Sequence, residues 1–500
     1  MNGILISALP LIVLMAALLL KRGAVASPIA GGAAVLAVVF HDARFALDTG
    51  ALLSADLPVV LILTLSVALV VVPGQMLNAL LQASGVIAAI GARIETIPLS
   101  RMKMASMIVL GVAPALESMT GFGVSLFFTV PVLVQLFSMN KALLLSLLSM
   151  NIMPWGTLAL ATQVGAQLSG TPFSQLAFTT SLTSFAVFPV IGLLIFAVCR
   201  EPGDQWRVLA WPLLAGLLLS CCLVFYNTHA AAELAGVYAG LTTAALMLLA
   251  EFLRRGPGLL SAFLSARPAL LRLFAPYLTL IALIGLSRIA PVHDALQNLP
   301  GFQSGNVKLF VFASPGVFIF LTIVLMCACS GTWRNHSGAL RDGIRRAVYP
   351  VTATMLFLVF AQLHRASGIF EDLASRMVAL SVQEMTFIAP LLGMLSGYAT
   401  GSNIGGNALF MALQSDTGRH FEHAIAFAAL QNSSAGHAVF LSLPVVLLAL
   451  SIAAGSGRGD GRGGSGDDVR ARQAWLIRRA LLCAPLIYAA LVVGFWGVVG

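Results

Sequence analysis

Two short polar stretches interrupt apolar segments of the chain, and their residue types suit the binding of a small anion. The first is ESMTGFG at residues 117–123, and the second is TGSNIGGN at residues 400–407. Glycine lets the backbone turn sharply and lets a ligand approach the main chain closely. A helix that restarts after such a break presents unpaired N–H groups and a partial positive charge, which together favour a carboxylate.

Hydroxyl and amide side chains in and near these stretches can hydrogen-bond a ligand without burying a net charge. A second pair of motifs, Asn151 to Pro154 and Asn432 to His437, follows each stretch and predicts a helix interrupted beside the same cavity. The candidate substrate-binding residues are Thr120, Gly121, Gly123, Ser125, Asn151, Thr400, Gly401, Ser402, Asn403, Asn407, Asn432 and Ser433. The alternative is that the small residues only allow close helix packing. Two such stretches at matching positions favour binding.

Two ionisable residues are candidates for carrying a coupled proton. Glu117 is an acid in an apolar context, where an ionised carboxylate is costly and an acid is a functional candidate. His437 titrates in the right range to shuttle a proton. For Glu117 the alternative is a structural carboxylate that hydrogen-bonds the backbone across the break, and for His437 it is a structural role near a helix break.

Neither a metal site nor a cofactor is expected from the sequence. The best cluster of ligating side chains, His420-Phe421-Glu422-His423, does not have the HExxH spacing that places two histidines one helical turn apart. The six cysteines form no CxxC pair and fall in or beside apolar segments, as buried small hydrophobes do. A polytopic membrane enzyme is therefore a weak alternative, and the protein is not expected to be an enzyme.

The composition predicts an integral membrane protein. Hydrophobic residues make up 59% of the 500 residues and charged residues 9%, and the mean hydropathy is +0.95; soluble domains carry about a quarter charged residues. Apolar stretches of about 18 residues or more recur along the chain, long enough for helices to cross a bilayer. The net charge of +9 does not indicate nucleic-acid binding, because the basic residues lie in short loops between apolar runs.

The apolar runs predict an all-α polytopic fold with about twelve transmembrane helices and two re-entrant hairpins. The predicted crossings are 3–20, 24–41, 57–75, 143–166, 172–199, 208–225, 230–252, 269–291, 308–330, 347–363, 424–453 and 474–498, and the hairpins lie near 104–139 and 386–413. With this count, the arginine-rich loops all fall on one side of the membrane, which agrees with the positive-inside rule and places both termini outside.

An internal repeat relates the two halves of the chain. Ala83-Ser84-Gly85-Val86, Arg93, Gly111, Thr120-Gly121 and Asn151 match Ala366-Ser367-Gly368-Ile369, Arg376, Gly393, Thr400-Gly401 and Asn432, at offsets of 283, 283, 282, 280 and 281 residues. An odd number of crossings separates the two copies, so they should be inverted. Inverted repeats with broken helices are a recurrent design of secondary transporters.

The repeat gives a predicted domain division. It comprises N-terminal transmembrane helices (1–56), transport repeat 1 (57–199), central transmembrane helices (200–330), inverted transport repeat 2 (331–454), a flexible cytoplasmic linker (455–473) and a C-terminal transmembrane helix (474–500). The linker assignment rests on the Gly, Ser and charge content of GSGRGDGRGGSGDDVRARQ, which cannot bury a core.

These motifs resemble the L-lactate permease family of bacterial carboxylate transporters. The similarity includes Arg101-Met102-Lys103-Met104, Glu117, Gly121-Phe122-Gly123, Asn151, Pro154, Arg346, Ser367-Gly368, Thr400-Gly401-Ser402 and Asn407-Ala408-Leu409-Phe410. It covers most of both repeats and is weak in the middle third. The family usually carries Asp where this chain has Asn403, and hydroxylated residues in place of Ile404-Gly405-Gly406. After the second Asn it carries a Lys, where this chain reads SSAGHAVFLSLP from Ser433.

The resemblance implies a proton-coupled symporter for lactate, glycolate or related 2-hydroxy monocarboxylates in the bacterial cytoplasmic membrane. Its expected partners are a small carboxylate, a coupling proton and the lipid bilayer, and association into a homo-oligomer is left open. The alternative within the same fold is sodium-coupled transport of another carboxylate, with hairpin carbonyls and Asn403 as oxygen ligands. A channel fits the inverted hairpins less well than alternating access does.

Overall fold

The structure is a computed structural model that describes residues 2–95, 99–121, 123–201, 206–255, 267–305, 307–330, 333–377, 379–455 and 466–500. The helices of the first half are α1 Asn2–Leu19, α2 Gly23–His41, α3 Thr49–Ala83, α4 Val86–Glu95, α5 Arg101–Thr120, α6 Val124–Leu136, α7 Met139–Leu148, α8 Gly156–Ser169, α9 Phe173–Thr183 and α10 Val187–Cys199. Single π-helical turns lie within α3 and α5, and a 3-10 segment, Ser149–Trp155, joins α7 to α8.

The second half of the chain is also mainly helical. Its helices are α11 Ala210–His229, α12 Ala232–Arg255, α13 Arg267–Ser287, α14 Ala290–Gln297, α15 Pro315–Ser330, α16 Trp333–Ala366, α17 Ile369–Met377, α18 Val382–Thr400, α19 Asn403–His420, α20 Ala424–Ala438, α21 Leu443–Gly455 and α22 Gly466–Val499. Short 3-10 segments, Trp206–Leu209 and Val439–Leu441, precede α11 and α21. Strands β1 Phe302–Ser304 and β2 Val307–Leu309 form a small antiparallel hairpin between α14 and α15.

The prediction of an all-α polytopic membrane protein is confirmed. Eight of the described helices are long and apolar enough to cross a membrane, and the count is eleven if each of three bent pairs is one span. Ten of the twelve predicted crossings coincide with such a helix or pair, and 3–20 and 308–330 coincide with the shorter apolar helices Gly3–Leu19 and Pro315–Cys329. The last of these begins later than predicted because Val307–Leu309 pairs as a strand and Pro315 opens the helix.

The predicted linker lies largely outside the described residues, at 456–465. Helix α22 begins at Gly466 and therefore earlier than the predicted residue 474. In the described part of the second repeat, α21 ends at Gly455.

The repeat is visible in the backbone conformation of matching glycines. Helix α3 ends at Ala83 and α4 begins at Val86, while α16 ends at Ala366 and α17 begins at Ile369. The glycines in these two turns, Gly85 and Gly368, have φ of +72° and +75°. This left-handed conformation costs L-residues energy and is routine only for glycine, so the same turn chemistry is used in both halves.

Close helix crossings hold the two halves together. Along the α3–α16 contact, a Cβ on Gly343 would lie 2.5 Å from the Met76 Cα. Helix α8 of the first half packs on α19 of the second, where a Cβ on Gly165 would approach Asn407 Nδ2 to 3.1 Å. Such separations leave no room for a larger side chain, so dispersion contacts between backbones replace interdigitated side chains.

The crossing of α10 and α11 gives a test of this packing. A Cβ on Gly192 would overlap the Pro212 carbonyl oxygen, and one on Gly216 would overlap the Phe188 carbonyl oxygen. We expect Gly192→Ala and Gly216→Ala each to lower the free energy of unfolding by about 1–3 kcal/mol through overpacking. Melting temperature in detergent is the measurement. Gly338→Ala, in α16 with no atom within 4 Å of the added Cβ, is the control and should be neutral or stabilising. Equal effects of all three variants would contradict the packing account.

A cavity between two hairpin tips

The first predicted hairpin is formed by α5 and α6, which are joined at Gly121–Gly123. Gly121 has φ +69° and Gly123 has φ +77°, and Phe122 lies outside the described residues. A Cβ on Gly121 would overlap the Thr157 hydroxyl oxygen, which lies at the start of α8. Glycine is therefore required at position 121 for two reasons, its positive φ and the close approach of Thr157.

Glu117 closes the first hairpin from within. Its carboxylate accepts hydrogen bonds from Gly123 N at 2.9 Å, from Ser125 N at 3.1 Å and from Ser125 Oγ at 2.8 Å. The carboxylate thereby caps the N-terminus of α6, where negative charge is favoured, and the side chain is fully buried. The anion-binding position predicted at this tip is thus occupied by the protein's own carboxylate.

The second predicted hairpin is formed by α18 and α19, and its arms run antiparallel. Near the tip, a Cβ on Gly406 would lie 3.0 Å from Ser396 Oγ, and further out Gln414 Nε2 donates to Ala389 O at 3.0 Å. At the tip, Gly401 has φ +66°. Ser402 then caps α19, because its Oγ accepts from Gly405 N at 3.4 Å.

A cavity of about 180 Å³ lies between the two hairpin tips. This is far more than the roughly 10–15 Å³ that one water needs, so it can hold a small organic molecule. Residues of both hairpins and of both interrupted crossings surround it. They are Gly123, Met150, Met153, Gly156, Thr157, Ala161, Gly401, Ser402, Asn403, Ile404, Val439, Pro444, Val445 and Leu448.

The electrostatics of the cavity come from helix ends. Among the described residues that line it, none carries a charge. Helix α19 begins at Asn403 and α21 begins at Leu443, so their N-terminal turns lie at the cavity wall with N–H groups that have no intrahelical acceptor. Such ends attract a carboxylate through their partial positive charge. The apolar side chains that line the cavity, including Met150 and Leu448, can contact a short hydrocarbon group.

An amide network lies directly behind the cavity. Asn432 Oδ1 accepts from Asn403 Nδ2 at 3.1 Å and from Asn407 Nδ2 at 2.8 Å. Asn432 Nδ2 donates to the hydroxyls of Thr162 at 2.8 Å and Thr180 at 3.1 Å. The network links α19 and α20 of the second half to α8 and α9 of the first. Thr162 and Thr180 are functional candidates that sequence reasoning missed, since a threonine inside an apolar helix has no distinctive pattern.

His437 lies in a second buried polar cluster. Its Nε2 is 3.0 Å from Ser184 Oγ, which donates to Ser433 Oγ at 3.1 Å, and Ser433 also bonds to Thr183. The imidazole is fully buried and contacts the Phe188 ring edge-on at 5.5 Å between centroids. This cluster does not line the cavity.

The predicted site residues therefore fall into two groups. Gly123, Gly401, Ser402 and Asn403 line the cavity. The rest are buried and do not line it. Among them, Thr120 donates to Leu116 O, Asn151 donates to Leu148 O, and the Thr400 hydroxyl lies within hydrogen-bond distance of Ser396 O and Ser402 O. Thr157 lines the cavity and was missed, although Gly156 before it marks the helix interruption.

The first turn of α8 has an unusual backbone. Thr157, Leu158 and Ala159 all adopt left-handed φ values of +53°, +56° and +57°. Consecutive left-handed residues with side chains are costly, at roughly 1–2 kcal/mol per residue. Contacts with the surrounding protein must stabilise this turn. In this conformation Thr157 packs against Gly121 and lines the cavity.

The Gly121–Thr157 contact adds to the backbone strain at Gly121, where φ is +69° and ψ is −170°. We expect Gly121→Ala to disrupt the first hairpin tip, because the added Cβ would overlap Thr157. Gly368→Ala is a control for a positive φ without such a contact, since Gly368 has φ +75° and no atom within 4 Å of an added Cβ. The control should cost about 1–2 kcal/mol from backbone strain alone. Thermal unfolding in detergent measures both, and equal losses would contradict the contact.

Part of the chain is similar to known permeases. The family model described as L-lactate permease matches residues 263–458. An L-lactate permease of Streptococcus iniae is 23% identical over 347 residues, which is 66% of this chain and 73% of the relative. The glycolate permease GlcA of Escherichia coli (strain K12) is 25% identical over 143 residues, 29% of this chain and 24% of the relative.

A further relative, an L-lactate permease of Bacillus subtilis (strain 168), is 26% identical over 147 residues, 29% of this chain and 26% of the relative. The alignments with the last two relatives therefore span about a quarter of those proteins. All three relatives are named as permeases and none as an enzyme. The family model's match spans the second repeat, and the chain is similar to the L-lactate permease family there, in agreement with the motif resemblance.

Proposed function

We propose that this protein is a secondary transporter that moves lactate or a related 2-hydroxy monocarboxylate across the bacterial cytoplasmic membrane together with a proton. The observation that carries the proposal is the cavity enclosed by the tips of both hairpins. The relatives named as lactate and glycolate permeases support the substrate class. The many apolar helices support a multi-pass location.

The second hairpin tip is the proposed receptor for the carboxylate. Helix α19 starts at the cavity wall, and the N–H groups of Asn403 and Ile404 lie in its first turn. The corresponding end of α6 is already neutralised by Glu117. An incoming anion therefore finds its most favourable site at α19, and the apolar wall from Val439 to Leu448 accommodates the hydrocarbon part of the substrate.

Alternating access is proposed to use the two hairpins as gates. Each hairpin belongs to one copy of the repeat, and the charge pattern of the loops predicts that the copies are inverted in the membrane. A single cavity between the tips could then open to one side when one hairpin moves and to the other side when its partner moves. The glycines Gly121, Gly123 and Gly401 provide backbone turns at the moving ends.

Glu117 is the proposed proton carrier. Its Oε2 accepts from Ser125 Oγ, and that hydroxyl can reverse its role and accept a hydrogen bond from the protonated carboxylic acid. The protonated acid would then keep its bond to Gly123 N through Oε1 and lose the charge that favours the α6 terminus. Protonation thus changes the stability of the first hairpin tip, which is the coupling that symport requires. His437 is the second proposed carrier, through its contact with Ser184.

The test is uptake of radiolabelled L-lactate into proteoliposomes that contain the purified protein. We expect an imposed inward proton gradient to drive accumulation, and Glu117→Gln to abolish that accumulation while sparing exchange between labelled and unlabelled lactate. Glu384→Gln is the matched control. Glu384 also caps a helix, through Ser381, but it lies at the exposed end of α18 away from the cavity, so accumulation should persist.

Three results would count against parts of this proposal. Retained proton-driven accumulation in Glu117→Gln would remove Glu117 from coupling. Accumulation that follows a sodium gradient, and does not respond to a proton gradient, would favour the sodium-coupled alternative. No uptake or exchange of lactate or glycolate by the wild-type protein would contradict the substrate class itself.

A further inference from the structure

We propose that Asn403 reads the 2-hydroxyl group of the substrate through its Oδ1 atom, and that Thr162 and Asn432 are positioning residues that fix this atom as the one facing the cavity. The proposal rests on the proposed function, because it assigns a role within the same transport site. It goes further by naming the atom that distinguishes 2-hydroxy acids from 2-oxo and unsubstituted acids.

The orientation of these side chains is set first by the backbone carbonyl of Pro154, which can only accept a hydrogen bond. The Thr162 hydroxyl donates to Pro154 O at 2.6 Å, so its single proton is committed. The bond between Thr162 Oγ1 and Asn432 at 2.8 Å must therefore use a proton from Asn432. This requirement places the Nδ2 of Asn432 toward Thr162 and its Oδ1 on the opposite side.

Asn432 Oδ1 then orients the next two amides. It can only accept, so Asn403 and Asn407 must present their Nδ2 groups to it, at 3.1 Å and 2.8 Å. The orientation of Asn407 has independent support, because its Nδ2 also donates to Ala161 O at 2.9 Å. Hydrogen-bond logic alone thus sets the assignment of oxygen and nitrogen in all three side chains.

The end of this relay is an unused acceptor, Asn403 Oδ1, in a residue that lines the cavity. Asn403 lines the cavity and is 1% exposed, its Nδ2 is turned toward Asn432, and its Oδ1 has no hydrogen-bond partner within the described part of the chain. A buried amide oxygen without a partner is unfavourable and calls for a donor. A ligand whose hydroxyl donates a hydrogen bond to Asn403 Oδ1 would satisfy this oxygen.

A 2-hydroxy monocarboxylate has the right groups on adjacent carbons. Its carboxylate can accept from the first-turn N–H groups of α19, and its hydroxyl can donate to Asn403 Oδ1, which belongs to the first residue of the same turn. A 2-oxo acid such as pyruvate places an acceptor against that oxygen, and propionate places a hydrogen that cannot pair. A site built to pair with a hydroxyl rejects analogues without one, since its own polar atom stays unpaired.

The experiment is lactate exchange in proteoliposomes without any ion gradient, with competition by pyruvate and by propionate. In the wild-type protein we expect both competitors to inhibit about tenfold less effectively than L-lactate, the size of effect that one neutral hydrogen bond gives. Thr162→Val removes one of the bonds that orient Asn432, and through it Asn403, and leaves those to Thr180 and Asn407, so the preference for lactate over pyruvate should fall by up to about tenfold. Thr162→Ser keeps the hydroxyl and should keep the preference.

The control variant is Thr129→Val, a buried threonine in α6 whose hydroxyl has no partner among the described residues, and it should leave the preference unchanged. The readout is a ratio measured on one preparation, so a loss of folded protein does not move it. If Thr162→Val does not fold, the same competition is measured with Asn403→Ala, which must also lose the preference.

The outcomes separate this inference from the proposed function. A wild-type protein that exchanges no lactate contradicts the proposed function. A wild-type protein that exchanges lactate but does not prefer it over propionate and pyruvate overturns the reading of the hydroxyl by Asn403. A preference that survives both Thr162→Val and Asn403→Ala overturns it as well, whereas loss in both with retention in Thr162→Ser supports it.

Discussion

A chain that breaks its helices inside an apolar bundle must satisfy the freed backbone groups from within, and this constraint organises the whole site. Bilayer hydrocarbon supplies no hydrogen bonds, so irregular backbone at that depth has to be packed in protein or line a wet cavity. The first hairpin meets the demand with the Glu117 carboxylate, and the second with the Ser402 and Thr400 hydroxyls. The cavity lies between the tips, beside the first turn of α19.

The two hairpins are related by the repeat but are not equivalent. The N-terminus of α6 holds a carboxylate supplied by its own hairpin, while the N-terminus of α19 is capped by a neutral hydroxyl. One tip therefore holds an ionisable group, and the other presents the first turn of α19 to the cavity. Under the proposed function, the first tip responds to a proton and the second to the substrate, and the shared cavity wall lets each affect the other.

Some of this could be predicted from the sequence. The glycines Gly85, Gly121, Gly368 and Gly401 all have positive φ, as their repeat-matched positions between apolar runs suggested. The helix break at Asn151 and the convergence of both hairpins also followed from that pattern. The break predicted at Asn432–His437 is wrong, because α20 continues through both residues to Ala438 and the 3-10 segment follows at Val439–Leu441. Glu117 was identified as important, and its geometry is that of the structural alternative, a carboxylate that bonds backbone across the hairpin. That bond does not exclude proton coupling, since Ser125 can reverse its hydroxyl.

The other features of the site could not be predicted, because they depend on tertiary contacts that leave no periodic pattern in the sequence. Thr162 and Thr180 come from helices α8 and α9, and only the packing of the first half against α20 brings them to Asn432. The left-handed turn at Thr157–Ala159 contains none of the residues that normally signal such a conformation, so the sequence pattern could not reveal it. Both features lie where tertiary contacts override local preference.

The most direct test of the central claim, that the hairpin tips enclose the substrate site, is an electron cryo-microscopy structure of the purified protein in lipid nanodiscs with saturating L-lactate. The account predicts ligand density between Gly123 and the N-terminus of α19, with the carboxylate at the first turn of that helix. Density for lactate at a different position, with the cavity between the tips filled by side chains, would contradict it.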